Sequence, residues 1–333
     1  LEALARGDSF SRRNAQEYQC LTGIREVGLK VLFSVVVFLG TCPLFASGGD
    51  FGMLSLLSDS GIDGPPYEAQ VELMKSLAAE NDGIEYVEYG KSIQRRPLSG
   101  LLLTSSSAEP KEMVLITGAT HGNEYLNIAD QLVPKWVESM PQDLSAFLAQ
   151  GGSVFVVPVL NPDGYERRWR WNSFFKDLNR DWPSPGNSLE RPTQAESRDL
   201  AIFVEEFLQL HNAKLSVALD YHCCADGMLL HPLGWKAGVK RPQADQDETE
   251  RLIALYEQSF PNPGEIGTPP DILYAATGTT LDYWYLEYGA VALTYEGFRG
   301  SESSLLPNHL DFWSLVFTEL VESEPSDETL PET

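Results

Sequence analysis

His121 and Glu124 lie three residues apart, just after an apolar run at 113–117. An imidazole and a carboxylate at that spacing share one side of a helical turn. Both are good zinc ligands, and a catalytic zinc uses three protein ligands and keeps one position for water. The same H-x-x-E pattern also fits a helix N-terminus whose Glu is favoured by the helix dipole. A third ligand is therefore required. The other histidines are His211, His222, His231 and His309. His222 closes the run at 215–220 and so stands at a strand end, as His121 does. His231, before Pro232, stays open as a weaker choice. His211 follows an amphipathic pattern and reads as a surface residue. His309 begins the last helical pattern and reads as a capping or surface residue.

These residues need elements to place them. Strands are predicted at 84–89, 100–104, 113–117, 153–160, 215–220, 228–231 and 290–295. Helices are predicted at 126–137, 194–210 and 308–321. Strand-like runs alternating with helical patterns indicate an α/β protein with a mixed, largely parallel sheet. The run at 153–160 is almost purely apolar, as a strand buried on both faces should be. In such sheets ligands gather beyond the carboxyl ends of the strands, where His121 and His222 fall. Gly and Pro clusters mark loops at 61–66, 183–186 and 261–270, and none has the look of a domain linker. One domain is expected over 49–322. An N-terminal extension and signal precede it at 1–48, and an acidic, disordered tail follows at 323–333.

The 333 residues are 43% hydrophobic and 11% aromatic, enough for a full-sized core, and carry a formal net charge of −24. That charge repels phosphates, which excludes nucleic acid and an anionic membrane surface as partners. Residues 31–46 form the one strongly apolar run, with Arg25 and Lys30 before it and Ala46, Ser47, Gly48 and Gly49 after it. This is the layout of a secretory signal. Pro43 and the modest length argue against a spanning helix. Export to the periplasm or beyond is expected, with no membrane span left after cleavage and a monomeric product. Cys42, after Thr41, keeps a lipoprotein anchor as a lesser alternative. Residues 1–26 start without Met and are assigned no role in the fold, and no separate inhibitory pro-domain is expected after the signal. Cys223 and Cys224 are adjacent and cannot staple distant parts of a fold. Neighbouring side chains on a strand point to opposite faces, so at most one of them could approach a metal on His222.

Several ordered motifs between about 85 and 315 resemble the zinc carboxypeptidases of the carboxypeptidase A kind. Tyr89, Gly90, Lys91 and Ser92 with Arg96, Pro97 and Leu98 are similar to that family's early strand pair. H-G-N-E at 121–124 resembles its first metal motif, and Asn161, Pro162, Asp163, Gly164 and Tyr165 resemble its N-P-D-G turn. Asp177, Leu178, Asn179 and Arg180 are similar to its D-x-N-R motif. His222, followed by residues 228–234, resembles its second metal strand and hairpin. Residues 274–282 resemble its loop with a mobile Tyr, and 292–296 its strand with a catalytic Glu.

The resemblance implies a three-layer α/β/α fold and a single zinc held by His121, Glu124 and His222. It implies that Glu296 is the general base and that Arg170 stabilises the oxyanion. It further implies that Asn179 and Arg180 bind the free C-terminal carboxylate of a peptide substrate, over which Tyr274 closes. Asp177 would accept the other ring N–H of His121. Leu281 would line the pocket for the terminal side chain. With Ala276 and Thr294 nearby, that pocket is expected to take a neutral or apolar residue. Asn-Pro-Asp-Gly is read as a turn that only scaffolds the site.

Asn123 departs from the family, which usually carries Arg just before the ligand Glu, in contact with substrate. H-G-N-E also occurs in the succinylglutamate desuccinylase and aspartoacylase group and in murein-peptide amidases. Three readings follow: a carboxypeptidase acting on peptides or cell-wall peptides, an amidohydrolase of a small N-acyl amino acid, and a metal-free binding protein on the same scaffold. The stretch from Arg168 to Arg180 and the Tyr274 loop favour the first.

Overall fold

The apolar runs that read as strands become neighbours at the centre of one eight-stranded sheet. The computed structural model describes residues 64–298, 300 and 302–323. In chain order the elements begin with α1 (Tyr67–Glu80), β1 (Ile84–Lys91), β2 (Pro97–Leu103), β3 (Glu112–Gly118), α2 (Ala129–Glu138), α3 (Gln142–Ala149) and β4 (Gly152–Val157). They continue with α4 (Pro162–Arg167), α5 (Ala195–His211), β5 (Lys214–Cys223), β6 (Met228–Leu230), α6 (Gln243–Ser259) and β7 (Ile266–Gly267). The last are α7 (Pro269–Ile272), α8 (Thr280–Tyr288), β8 (Val291–Gly297) and α9 (Leu306–Ser323).

The strand order is β1-β2-β4-β3-β5-β8-β6-β7. The central β4, β3, β5 and β8 run parallel, while β1, β2 and β6 join antiparallel. Every residue of β3 and β4 is buried, which explains the apolar runs at 113–116 and 154–157. Alternate residues feed two cores. Val114 and Ile116 face α1, α2, α3, α6 and α9 through Met74, Trp136, Phe147, Tyr256 and Phe317. Met113 and Leu115 face α5 and α8 through Leu200, Val204, Leu281 and Trp284. The fold is thus α/β, three-layered and mixed, as expected.

Some boundaries differ. The helix expected from 126 starts at Ala129, and His121 and Glu124 lie in the turn before it. Left-handed backbone at Ala119 (φ 46°) and Asn127 (φ 60°) keeps this stretch out of the helix. β4 ends at Val157 because Pro158 has no N–H to continue the ladder. Asn-Pro-Asp-Gly is more than a turn. Asn161 caps α4 by accepting from Gly164 N–H at 2.9 Å. Asp163 is fully buried and takes Ser92 Oγ at 2.8 Å and Arg96 Nη1 at 2.7 Å. α1, α3, α6 and α8 carry weak sequence signals; α6, for one, buries only Thr249, Leu252, Tyr256 and Ser259. Ser323, expected in the tail, closes α9.

His309 is buried, against the expectation of a capping or surface residue. Its ring packs on Tyr295 and Phe260, and its Nδ1 lies 3.3 Å from Tyr221 Oη. The expected signal and the rest of the tail fall outside the described residues. Among the described residues no helix is long and apolar enough to cross a membrane.

Candidate active site

β3, β5 and β8 end side by side, and their carboxyl ends carry the candidate residues. Gly118 pairs with Tyr221, and His222 pairs with Glu296. Beyond β3 the chain turns tightly, with Glu124 N–H donating to His121 O at 3.0 Å. Gly122 makes this turn possible: a Cβ there would run into the backbone of Gly164 and Tyr165.

His121, Glu124 and His222 are buried and converge. Glu124 Oε2 lies 2.8 Å from His121 Nδ1 and 2.9 Å from His222 Nδ1. The two Nδ1 atoms are 3.1 Å apart. The far ring nitrogens each meet a carboxylate, His121 Nε2 at 2.9 Å from Asp177 and His222 Nε2 at 2.8 Å from Asp220. Those carboxylates anchor both Nε2 atoms and so turn both Nδ1 atoms toward Glu124, where a bound metal would take their lone pairs. Two imidazole nitrogens and a carboxylate oxygen crowded on one point fit a zinc ion. Burial alone would raise Glu124, but His121 and His222 hold it well below the usual range. Burial likewise opposes ionisation of Asp220, yet His222 and the Thr hydroxyls keep it low.

Glu296 stands across the strand pair from His222. Burial pushes its pKa up to about 7; Glu124 adds to the rise, while His222, His121 and Arg170 oppose it. Arg170 donates from Nε to Asp177 Oδ2 at 3.0 Å and from Nη1 to Glu124 Oε1 at 3.2 Å. Asp177 also accepts Asn179 N–H at 2.9 Å, capping the short turn Leu178–Arg180. Asp181 fastens the end of this segment to α5, accepting Thr193 N–H at 2.9 Å and Gln194 N–H at 2.8 Å.

Asn179 is buried and its Oδ1 accepts Thr280 N–H at 3.0 Å. Arg180 donates from Nη2 to Tyr274 Oη at 3.3 Å and lies over that half-exposed ring. The Tyr274 loop is held by Gly278 (φ 76°), whose carbonyl accepts Trp182 N–H at 3.2 Å. Leu281 is buried in the core between α8 and the sheet. Cys223 donates its backbone N–H to Glu124 Oε2 at 3.3 Å, and its sulfur pairs with that of Cys224. His231 stays out of the cluster, with Nδ1 3.0 Å from Pro232 O.

Asp220 and Thr280 were not singled out from the sequence. Asp220 had a signal: two residues before His222 on a strand, it must share that residue's face. Thr280 had none, because its partners are far away in the chain.

A family model described as zinc carboxypeptidase matches residues 70–312, well over half of the chain. Zinc carboxypeptidase A 1 of Drosophila melanogaster is 25% identical over 268 residues, covering 70% of this chain and 61% of that protein. Carboxypeptidase A4 of Mus musculus is 22% identical, covering 74% of this chain and 67% of its own length. A Blastomyces gilchristii protein named inactive metallocarboxypeptidase ECM14 is 24% identical, covering 67% of this chain and 47% of itself. The chain thus spans about half to two thirds of these relatives. Among solved structures, carboxypeptidase A from Helicoverpa armigera aligns with a TM-score of 0.62 at 21% identity, over 79% of this chain and 75% of that one. Bovine thrombin-activatable fibrinolysis inhibitor aligns at 0.61 and 20% identity, over 77% and 96%. These structural likenesses establish the fold, and with the family model they lead to one conclusion: the chain belongs to the zinc carboxypeptidase family.

Proposed function

We propose that this chain is an active zinc metallocarboxypeptidase that removes the C-terminal residue of peptides, cell-wall peptides among them. The convergence of His121 Nδ1, Glu124 Oε2 and His222 Nδ1, with Glu296 across the strand pair, carries this reading. Zinc bound there supplies Lewis acidity for carbonyl hydrolysis. Glu296 takes a proton from the attacking water and returns it to the leaving amine, a task suited to a carboxylate whose pKa is raised toward neutrality. Arg170, oriented by Asp177 and Glu124, offers its guanidinium to the developing oxyanion. Arg180 grips the terminal carboxylate, Asn179 contributes its amide, and Tyr274 covers the bound residue. Leu281 with Ala276 and Thr294 favours a neutral or apolar terminal side chain. Export as a monomer from a signal at 1–48, with a catalytic domain over 49–322 and an acidic tail at 323–333, completes the reading.

Membership alone does not confer catalysis, since one relative is named inactive. Release of C-terminal residues from a peptide mixture, with and without chelator, is the deciding experiment. Chelator-sensitive release supports the proposal. Zinc well below one per chain would leave a metal-free binding protein. Asn123 is the observation that favours the amidohydrolase reading, and hydrolysis of an N-acyl amino acid but not of a blocked dipeptide would establish it.

A further inference from the structure

We propose that Asp220 is a positioning residue that locks the metal ligand His222 and the substrate-binding Asn179 into one unit. The inference rests on the zinc reading above. Asp220 is buried on β5 and shares a face with His222. A buried carboxylate is costly unless its lone pairs are met, and here they are saturated. Oδ1 accepts Thr117 Oγ1 at 2.8 Å and Thr120 Oγ1 at 2.9 Å. Oδ2 accepts Thr280 Oγ1 at 2.9 Å and Thr120 Oγ1 at 3.0 Å, and lies 2.8 Å from His222 Nε2. The donors come from β3, from the turn that carries His121, and from the start of α8. Only an acceptor-only group can meet three hydroxyls and an imidazole N–H together.

Two consequences follow. Asp220 accepts the His222 Nε2 proton, which turns Nδ1 toward Glu124 and His121 and leaves it to ligate a bound metal. Thr280, pinned by Asp220 through its hydroxyl, presents its backbone N–H to Asn179 Oδ1 at 3.0 Å. His222, Asp220, Thr280 and Asn179 therefore form one hydrogen-bonded chain from the metal site to the site for the terminal carboxylate. A residue that merely tied α8 to the sheet would change stability without changing how metal is held.

The test compares wild-type protein with Asp220→Asn, a substitution of nearly the same shape. Zinc affinity is measured by competition with a chromophoric chelator, and the visible spectrum is recorded with cobalt in place of zinc. KM and kcat on a peptide follow at saturating zinc. One zinc per wild-type chain, about 10- to 100-fold weaker zinc binding in the variant, an altered cobalt spectrum and a raised KM support the proposal. Unchanged affinity and spectrum overturn it while leaving the zinc reading intact. An unchanged KM overturns the link to Asn179. A wild-type chain that binds no zinc overturns both readings. Should Asp220→Asn not fold, Thr280→Val removes one donor from the same carboxylate. It is expected to weaken zinc binding several-fold and raise KM, and no change in either overturns the proposal.

Discussion

His222 and Glu296 are direct partners in the parallel pair of β5 and β8. Parallel partners present their side chains on the same face, so an imidazole and a carboxylate 74 positions later in the chain meet at one strand end. The first expectation follows from this pairing. Glu296→Gln keeps the shape and removes the carboxylate proposed as base. We expect kcat to fall about 10²- to 10⁴-fold with zinc stoichiometry unchanged, read by peptide hydrolysis beside metal analysis. A variant with wild-type kcat would remove Glu296 from the chemistry.

Arg180 holds Tyr274 Oη and reaches the carbonyl of Asn179 at 2.6 Å. Lys lacks the planar fork that binds a carboxylate twice. Arg180→Lys should raise KM for peptides with a free C-terminus about tenfold or more, with a smaller effect on kcat. Equal KM values for the two proteins would place the terminal carboxylate elsewhere.

Asp282 gives a pH dependence of stability. Burial raises its pKa from 3.8 to about 7, opposed by Gly234 N–H, which it accepts at 2.8 Å, and by Thr279. Between those values the folded chain keeps a proton that the unfolded chain has released. Stability therefore falls as pH rises through this window, by on the order of 4 kcal/mol at most. Asp282→Asn should flatten the profile, matching wild type near pH 4 and exceeding it at pH 8. Denaturant unfolding across pH reads this directly, and parallel profiles would contradict it.

Gly122 tests the turn itself. A Cβ at that position meets the backbone of Gly164 and Tyr165, which cannot move aside as a flexible side chain could. Gly122→Ala should destabilise the fold by about 1–3 kcal/mol and weaken zinc binding, because the turn carries both His121 and Glu124. Calorimetry and chelator competition on the same sample would check both effects.

The central β3 and β4 were legible because they are buried on both faces and so carry the apolar runs at 113–116 and 154–157. α6 was not, because its buried face holds Thr249 and Ser259 beside Leu252 and Tyr256, which leaves little periodicity to read. The spacing of His121 and Glu124 suggested a helix. The turn that carries them depends on contact with Gly164, some forty residues onward.

By itself the sequence determined the donor types, their order along the chain and their placement near strand ends, because these follow from local pattern. It also placed Asp220 and His222 on one strand face. Only tertiary structure decided that Asp220 would meet Thr117, Thr120 and Thr280, that Asn179 would be held by Thr280, and that His309 would be buried. These contacts join residues 60 to 103 positions apart in the Asp220 cluster and 101 apart between Asn179 and Thr280. No local propensity encodes such pairs; sheet order and parallel register bring them together.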